Sequence, residues 1–175
     1  MNSDPQQQQK RIGGGMIAAM WLVLLALLVF LLNGVLEKQS NPNQQVNSFT
    51  TSQGVAEVTL LRNKFGHYVT SGYINGQPVT LMLDTGASDV SIPESLASRL
   101  DLKKGYPSQY STANGIITAW STELDDVAIG NIHLRHVRAS INPNMNDDKI
   151  LLGMSFLKQI EFTQRGDELI LRQYP

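Results

Sequence analysis

No cysteine occurs in the 175-residue sequence. Its absence excludes a disulfide scaffold, a Cys-ligated zinc or iron–sulfur centre and a thiol nucleophile, and leaves the redox compartment open. A surplus of one charge is also missing: 14 Lys and Arg stand against 15 Asp and Glu, a net of −1. A nucleic-acid binder would carry a basic excess, so nucleic acid is not expected as a partner. No serine sits in a G-x-S-x-G elbow, which leaves a serine hydrolase without support. The acidic pairs Asp125-Asp126 and Asp147-Asp148 lack the alternating spacing of a calcium loop. His133 and His136 stand three apart in a β-prone stretch, where that spacing turns side chains to opposite faces. The sequence therefore calls for neither a metal nor a cofactor.

Charge is absent altogether from residues 12–36, the 25 positions between Arg11 and Glu37. Inside that gap Met16 to Leu32 is an unbroken apolar run of 17 residues. As a helix the run is roughly 26 Å long and the whole gap roughly 38 Å, which brackets the ~30 Å hydrocarbon core of a bilayer. Residues 12–36 are read as one transmembrane helix. The rival is a cleaved signal peptide, whose apolar region is usually only about 7–15 residues. No small-x-small cleavage triplet follows Leu32. Lys10 and Arg11 precede the span, and Lys38 is the one basic residue near its far end. The positive-inside rule then makes residues 1–11 a short cytoplasmic tail. Everything after the span lies outside the cytoplasmic (inner) membrane, in the periplasm or another extracytoplasmic space. Residues 37–53 are rich in Asn, Gln and Ser and bury too little apolar surface to offset their ordering entropy. They are expected to form a flexible linker to a folded domain over residues 54–175.

Strand signals dominate that domain. Tyr68 to Ile74 and Val79 to Leu83 are β-prone and flank Asn75-Gly76, a strong two-residue hairpin signal. Asn114-Gly115 and Gly130-Asn131 separate two further pairs of β-prone runs, and Gly166-Asp167 precedes a last strand, Glu168 to Arg172. Helical signals are short: Pro93 to Leu100, with leucines four apart, and Met154 to Ile160 after Gly153. Many short strands at close intervals indicate an all-β barrel or sandwich with one or two short helices.

One motif carries chemistry. The apolar strand Val79 to Leu83 runs directly into Asp84-Thr85-Gly86-Ala87-Ser88, which puts a carboxylate at the edge of a buried surface. A plain turn uses the same residues, so the tripeptide alone is only moderately specific. A second apolar strand later ends in Ile150-Leu151-Leu152-Gly153, with a short helix and a final strand behind it.

The segments LMLDTGAS, TANG and ILLGMSFL together resemble the retropepsin-like aspartic proteases (clan AA type, with a single D-T-G-A motif) over Val55 to Arg172. The chain looks most like their membrane-anchored bacterial branch, which joins one amino-terminal span to one such domain. The resemblance implies an acid-protease β-barrel with Asp84 as the catalytic aspartate. It implies that Thr85 joins two active-site loops across a subunit boundary and that Gly86, with Ala87, folds tightly behind the carboxylate. Leu151, Leu152 and Gly153 would thread beneath that loop. Asn114, Gly115 and Ile116 would occupy the flap that closes over a substrate, although retroviral flaps carry more glycine at the tip. Ser88 and Asp89 either line the cleft or form a polar rim. Ile116, Ile117 and Trp120 either form the underside of the flap or pack in the barrel.

Hydrolysing a peptide bond without a metal or a covalent nucleophile takes a base for water and an acid for the amide. Two carboxylates about 3 Å apart supply both, because like charges that close cannot both ionise. The chain has a single Asp-Thr-Gly and no Asp-Ser-Gly, so the second carboxylate must be Asp84 of another copy across a two-fold axis. The leading expectation is a membrane-anchored homodimeric aspartic endopeptidase acting on a protein or peptide. Two other classes are a catalytically inactive module of the same fold that dimerises and binds peptides by strand addition, and a membrane-anchored structural protein. Neither of those needs a carboxylate at the Asp84 position.

Overall fold

The computed structural model describes residues 5–112 and 115–175. They form two units that divide between Lys38 and Gln39. The first is helical, part of α1 (Pro5–Ser40). Its Leu- and Ala-rich sequence suits a helix, and its described side chains from Met16 to Leu36 are all exposed. Among the described residues it is the one helix long and apolar enough to cross a membrane, over Gly15–Ser40.

The second unit is mostly strand. Its elements are β1 (Asn47–Thr50), β2 (Ala56–Leu61), β3 (Val69–Ile74), β4 (Gln77–Leu83), β5 (Val90–Pro93), α2 (Glu94–Arg99), β6 (Pro107–Thr112), β7 (Gly115–Ile129), β8 (Ile132–Asn142), β9 (Lys149–Leu152), α3 (Met154–Leu157), β10 (Glu161–Arg165) and β11 (Glu168–Gln173). One sheet has the order β1-β2-β11-β10, and the other β3-β4-β9-β5-β8-β7-β6. In the larger sheet β3 also pairs with β7, Tyr73 opposite Ala128, which closes six strands into a ring. β6 stays outside the ring, paired among the described residues only along the first part of the long β7. Val58 and Leu60 of β2, Leu124 and Val127 of β7, and Ile150 and Leu152 of β9 are buried together in one continuous core. This is the all-β architecture expected from the sequence.

The hairpins follow their turn residues. At Asn75-Gly76 both residues take positive φ, 50° and 75°, so β3 and β4 pair from Ile74–Gln77 outward. β7 and β8 pair outward from Ile129–Ile132, around Gly130-Asn131. β6 and β7 pair up to Thr112–Gly115, with the tip lying outside the described residues.

Residues 37–53 differ from the flexible linker expected of them. α1 extends through Ser40, Asn41 and Asn43 are buried, and Asn47–Thr50 is a strand. Side-chain amides do here what apolar burial does elsewhere. Asn43 Nδ2 donates to the carbonyls of Leu61 (2.9 Å) and Val69 (2.7 Å), and its Oδ1 accepts from Leu61 N–H at 2.7 Å. The Asn43 carbonyl accepts from Ser71 N–H at 3.2 Å, and Asn63 Nδ2 donates to Ser40 O at 2.9 Å. Asn43 thus bridges the end of β2 to the start of β3, which no hydropathy pattern signals.

Candidate active site

The site is built where two parallel strands end side by side. β4 and β9 pair in parallel with Leu83 opposite Leu152, so Asp84 and Gly153 leave the sheet together. Asp84 N–H donates to Leu152 O at 3.1 Å. The loop after Asp84 then folds back on itself: Gly86 N–H donates to Asp84 Oδ1 at 2.8 Å and Ala87 N–H to Asp84 O at 3.3 Å. α3 clamps the loop from below, with Met154 N–H donating to Ala87 O (2.8 Å) and Ser155 N–H to Ser88 O (3.0 Å). Gly153 makes this crossing possible. A Cβ there would strike the backbone oxygen of Asp89 and lie 2.6 Å from that of Ala87.

Asp84 is half-buried, while Thr85 and Gly86 are exposed. A cleft of about 300 Å³ opens on one side of Asp84, bounded by the 86–89 loop, Tyr110 and Ile117. A second recess of about 280 Å³ contains Asp84 and Thr85, with Tyr68 and Phe162 on its walls. The Tyr68 hydroxyl is buried and finds no hydrogen-bond partner among the described residues. Two larger grooves, about 530 and 610 Å³, lie elsewhere and do not include Asp84.

The structure therefore gathers Asp84, Thr85, Gly86, Ala87, Leu152 and Gly153 at one place. Ser88, Asp89 and Leu151 line the cleft with Asp84, Gly86 and Ala87. Asn114 lies outside the described residues. Gly115 and Ile116 begin β7 and are exposed, and the cleft is lined from that hairpin by Ile117, Tyr110 and Ser111 instead. Trp120 packs against the core, with the Lys104 ammonium 4.0 Å from its ring centroid, and does not line the cleft. His133 and His136 each lie beside a carboxylate of β7, Asp126 at 3.6 Å and Glu123 at 2.9 Å. Among the described residues no three His, Cys, Asp or Glu side chains converge as metal ligands do.

Three contributors escaped the sequence reading. The parallel register of β5 and β8, Val90 opposite Ala139, brings Arg138 beside Asp89. Arg138 Nε and Nη2 each lie 2.7 Å from Asp89 Oδ1. Tyr110 donates its hydroxyl to Asp89 Oδ2 at 3.0 Å. Burial, then the hydrogen bond and charge of Asp89, raise the Tyr110 phenol above its ordinary pKa, so it keeps its proton and donates at neutral pH. Ser155 is buried in α3 and ties two strands: its Oγ accepts from Val90 N–H at 3.0 Å and donates to Arg138 O at 2.7 Å. Residues 49 positions apart in the chain meet here, and no local pattern signals it.

Residues 70–159 match the family described as "gag-polyprotein putative aspartyl protease". An uncharacterized protein in the cobV 5′ region of a Sinorhizobium species is 31 % identical over 179 residues, covering 95 % of this chain and 77 % of that protein. An uncharacterized protein of Rickettsia prowazekii (strain Madrid E) is 31 % identical over 132 residues, covering 74 % of this chain and 56 % of the relative. Among solved structures, a retropepsin-like aspartic protease from Rickettsia conorii is similar with a TM-score of 0.60 and 28 % identity, covering 74 % of this chain and 96 % of that one. With an Asp-Thr-Gly loop clamped by the Leu-Leu-Gly strand end in an all-β barrel, the chain belongs to the retropepsin-like aspartic protease family.

Proposed function

We propose that the protein is a membrane-anchored aspartic endopeptidase that works as a homodimer. The observation that carries this reading is the setting of Asp84. Its carboxylate stands half-buried on a braced loop whose next two residues are bare on the surface. One carboxylate can act as base or as acid, and amide hydrolysis needs both. A second copy meeting this one across Thr85 and Gly86 supplies the other. With one proton shared between the two Asp84 side chains, the ionised one removes a proton from water as its oxygen attacks the scissile carbonyl carbon. The protonated one gives its proton to the carbonyl oxygen. The Asp84 that took the water's proton then gives it to the amide nitrogen, and the other Asp84 takes a hydroxyl proton from the diol. The C–N bond breaks to leave an acid, an amine and the singly protonated pair. The β6–β7 hairpin, which borders the cleft through Tyr110 and Ile117, is the flap in this reading.

The exposed apolar helix is the membrane anchor, with residues 1–11 cytoplasmic and 12–36 spanning. The catalytic domain is extracytoplasmic and begins near Gln39 rather than at residue 54, because Asn43 is built into it. Two copies held in one membrane meet at raised effective concentration, so a weak interface suffices. In the test, Asp84→Asn loses peptide cleavage by at least about a thousandfold. Circular dichroism and sedimentation of the variant match the wild type. Retained turnover in Asp84→Asn overturns the assignment, and an inactive wild type that still dimerises and binds peptides identifies the non-catalytic module instead.

A further inference from the structure

We propose that Tyr110 sets the charge preference of the cleft. By capping one oxygen of buried Asp89 while Arg138 holds the other, it makes the pocket beside Asp84 take uncharged side chains and turn away lysine and arginine. The inference rests on the peptidase reading and adds a specificity determinant to it.

Asp89 is 6 % exposed and lies on the cleft wall, and among the described residues it and Asp84 are the only charged ones that line this cleft. Arg138 approaches from outside the lining, its side chain 66 % exposed, and puts both Nε and Nη2 on Oδ1. That leaves Oδ2 as the less engaged Asp89 oxygen, and the Tyr110 hydroxyl takes one of its acceptor sites from the flap strand β6. A basic side chain entering the pocket would shed its hydration and meet an Asp89 whose charge is already paired to Arg138 and whose Oδ2 is shared with the Tyr110 hydroxyl. An uncharged one meets Ile117, Ala119 and Leu151 at no such cost. Removing only the hydroxyl opens Oδ2 to the cavity while Arg138 still holds the carboxylate in place. An incoming ammonium or guanidinium then gains a charge-assisted hydrogen bond.

The test profiles the full-length protein in detergent on a peptide library in which each position carries lysine, arginine, methionine or norleucine. The readout is the ratio of kcat/KM for basic over uncharged side chains within each variant. The wild type favours the uncharged side chains at the position that enters this pocket. Tyr110→Phe raises the ratio there by about tenfold or more. Tyr110→Met, which also lacks the hydroxyl, raises it too and carries the test if the Phe variant does not fold. Tyr110→Phe combined with Asp89→Asn returns the ratio to the wild-type value, a reversal that loss of packing alone does not produce. An unchanged ratio in the single variants, or a raised ratio that persists in the double variant, overturns the proposal. If the wild type cuts no peptide, the peptidase reading fails by itself. The same ratio is then taken from dissociation constants for fluorescein-labelled lysine and norleucine peptides of that library. No binding of any of them overturns this proposal as well.

Discussion

The position of Asp84 at the end of an apolar strand was legible, because the run Val79 to Leu83 leads straight into Asp-Thr-Gly; what holds Asp84 in place was legible only in part. Leu152 and Gly153 were visible as a second strand end, and the structure shows why the second residue is glycine. With backbone oxygens of Ala87 and Asp89 at the place a Cβ would take, any side chain at 153 forces the Asp84 loop outward. Gly153→Ala is expected to destabilise the domain by about 1–3 kcal/mol, the usual cost of overpacking. A urea melt at unchanged m-value measures it, and peptide cleavage falls with it. A full-stability, fully active variant would show that the crossing tolerates a Cβ. Arg138 and Tyr110 carried no local signal, since a salt bridge and a hydrogen bond across 49 and 21 residues exist only once β5, β6 and β8 are in register.

At the level of elements, turn chemistry read well. Asn75-Gly76 and Gly130-Asn131 each connect the strands they separate in the sequence, because Asn75, Gly76 and Gly130 take left-handed turn conformations. The polar stretch after α1 read poorly, because composition weighs apolar area and does not see a single amide placed between two strand ends. Asn43 completes three hydrogen bonds to Leu61 and Val69 that water would otherwise have to satisfy in a buried place. Asn43→Ala in the full chain leaves two carbonyls and one N–H without those partners. It is expected to cost about 2 kcal/mol or more. Limited proteolysis then cuts faster within residues 41–53 than in the wild type. Equal cleavage rates and equal melting would mean that this segment is a tether after all.

For the whole molecule, the central proposition is that one folded unit holds half of an active site. The ring of strands, the clamped loop and the exposed Thr85-Gly86 tip all lie in one chain, and on the proposed mechanism the second carboxylate comes from another copy. Symmetry is a proposal that the single Asp-Thr-Gly supports, and the exposed Thr85 and Gly86 beside Asp84 are the face it would use. The most direct test is to co-refold wild type and Asp84→Asn in varied ratios at constant total concentration and measure peptide cleavage. A dyad shared between two copies makes activity follow the square of the wild-type fraction, about one quarter at an equal mixture with random pairing. Activity proportional to that fraction, about one half at an equal mixture, would mean that each chain cleaves alone and would contradict the shared site.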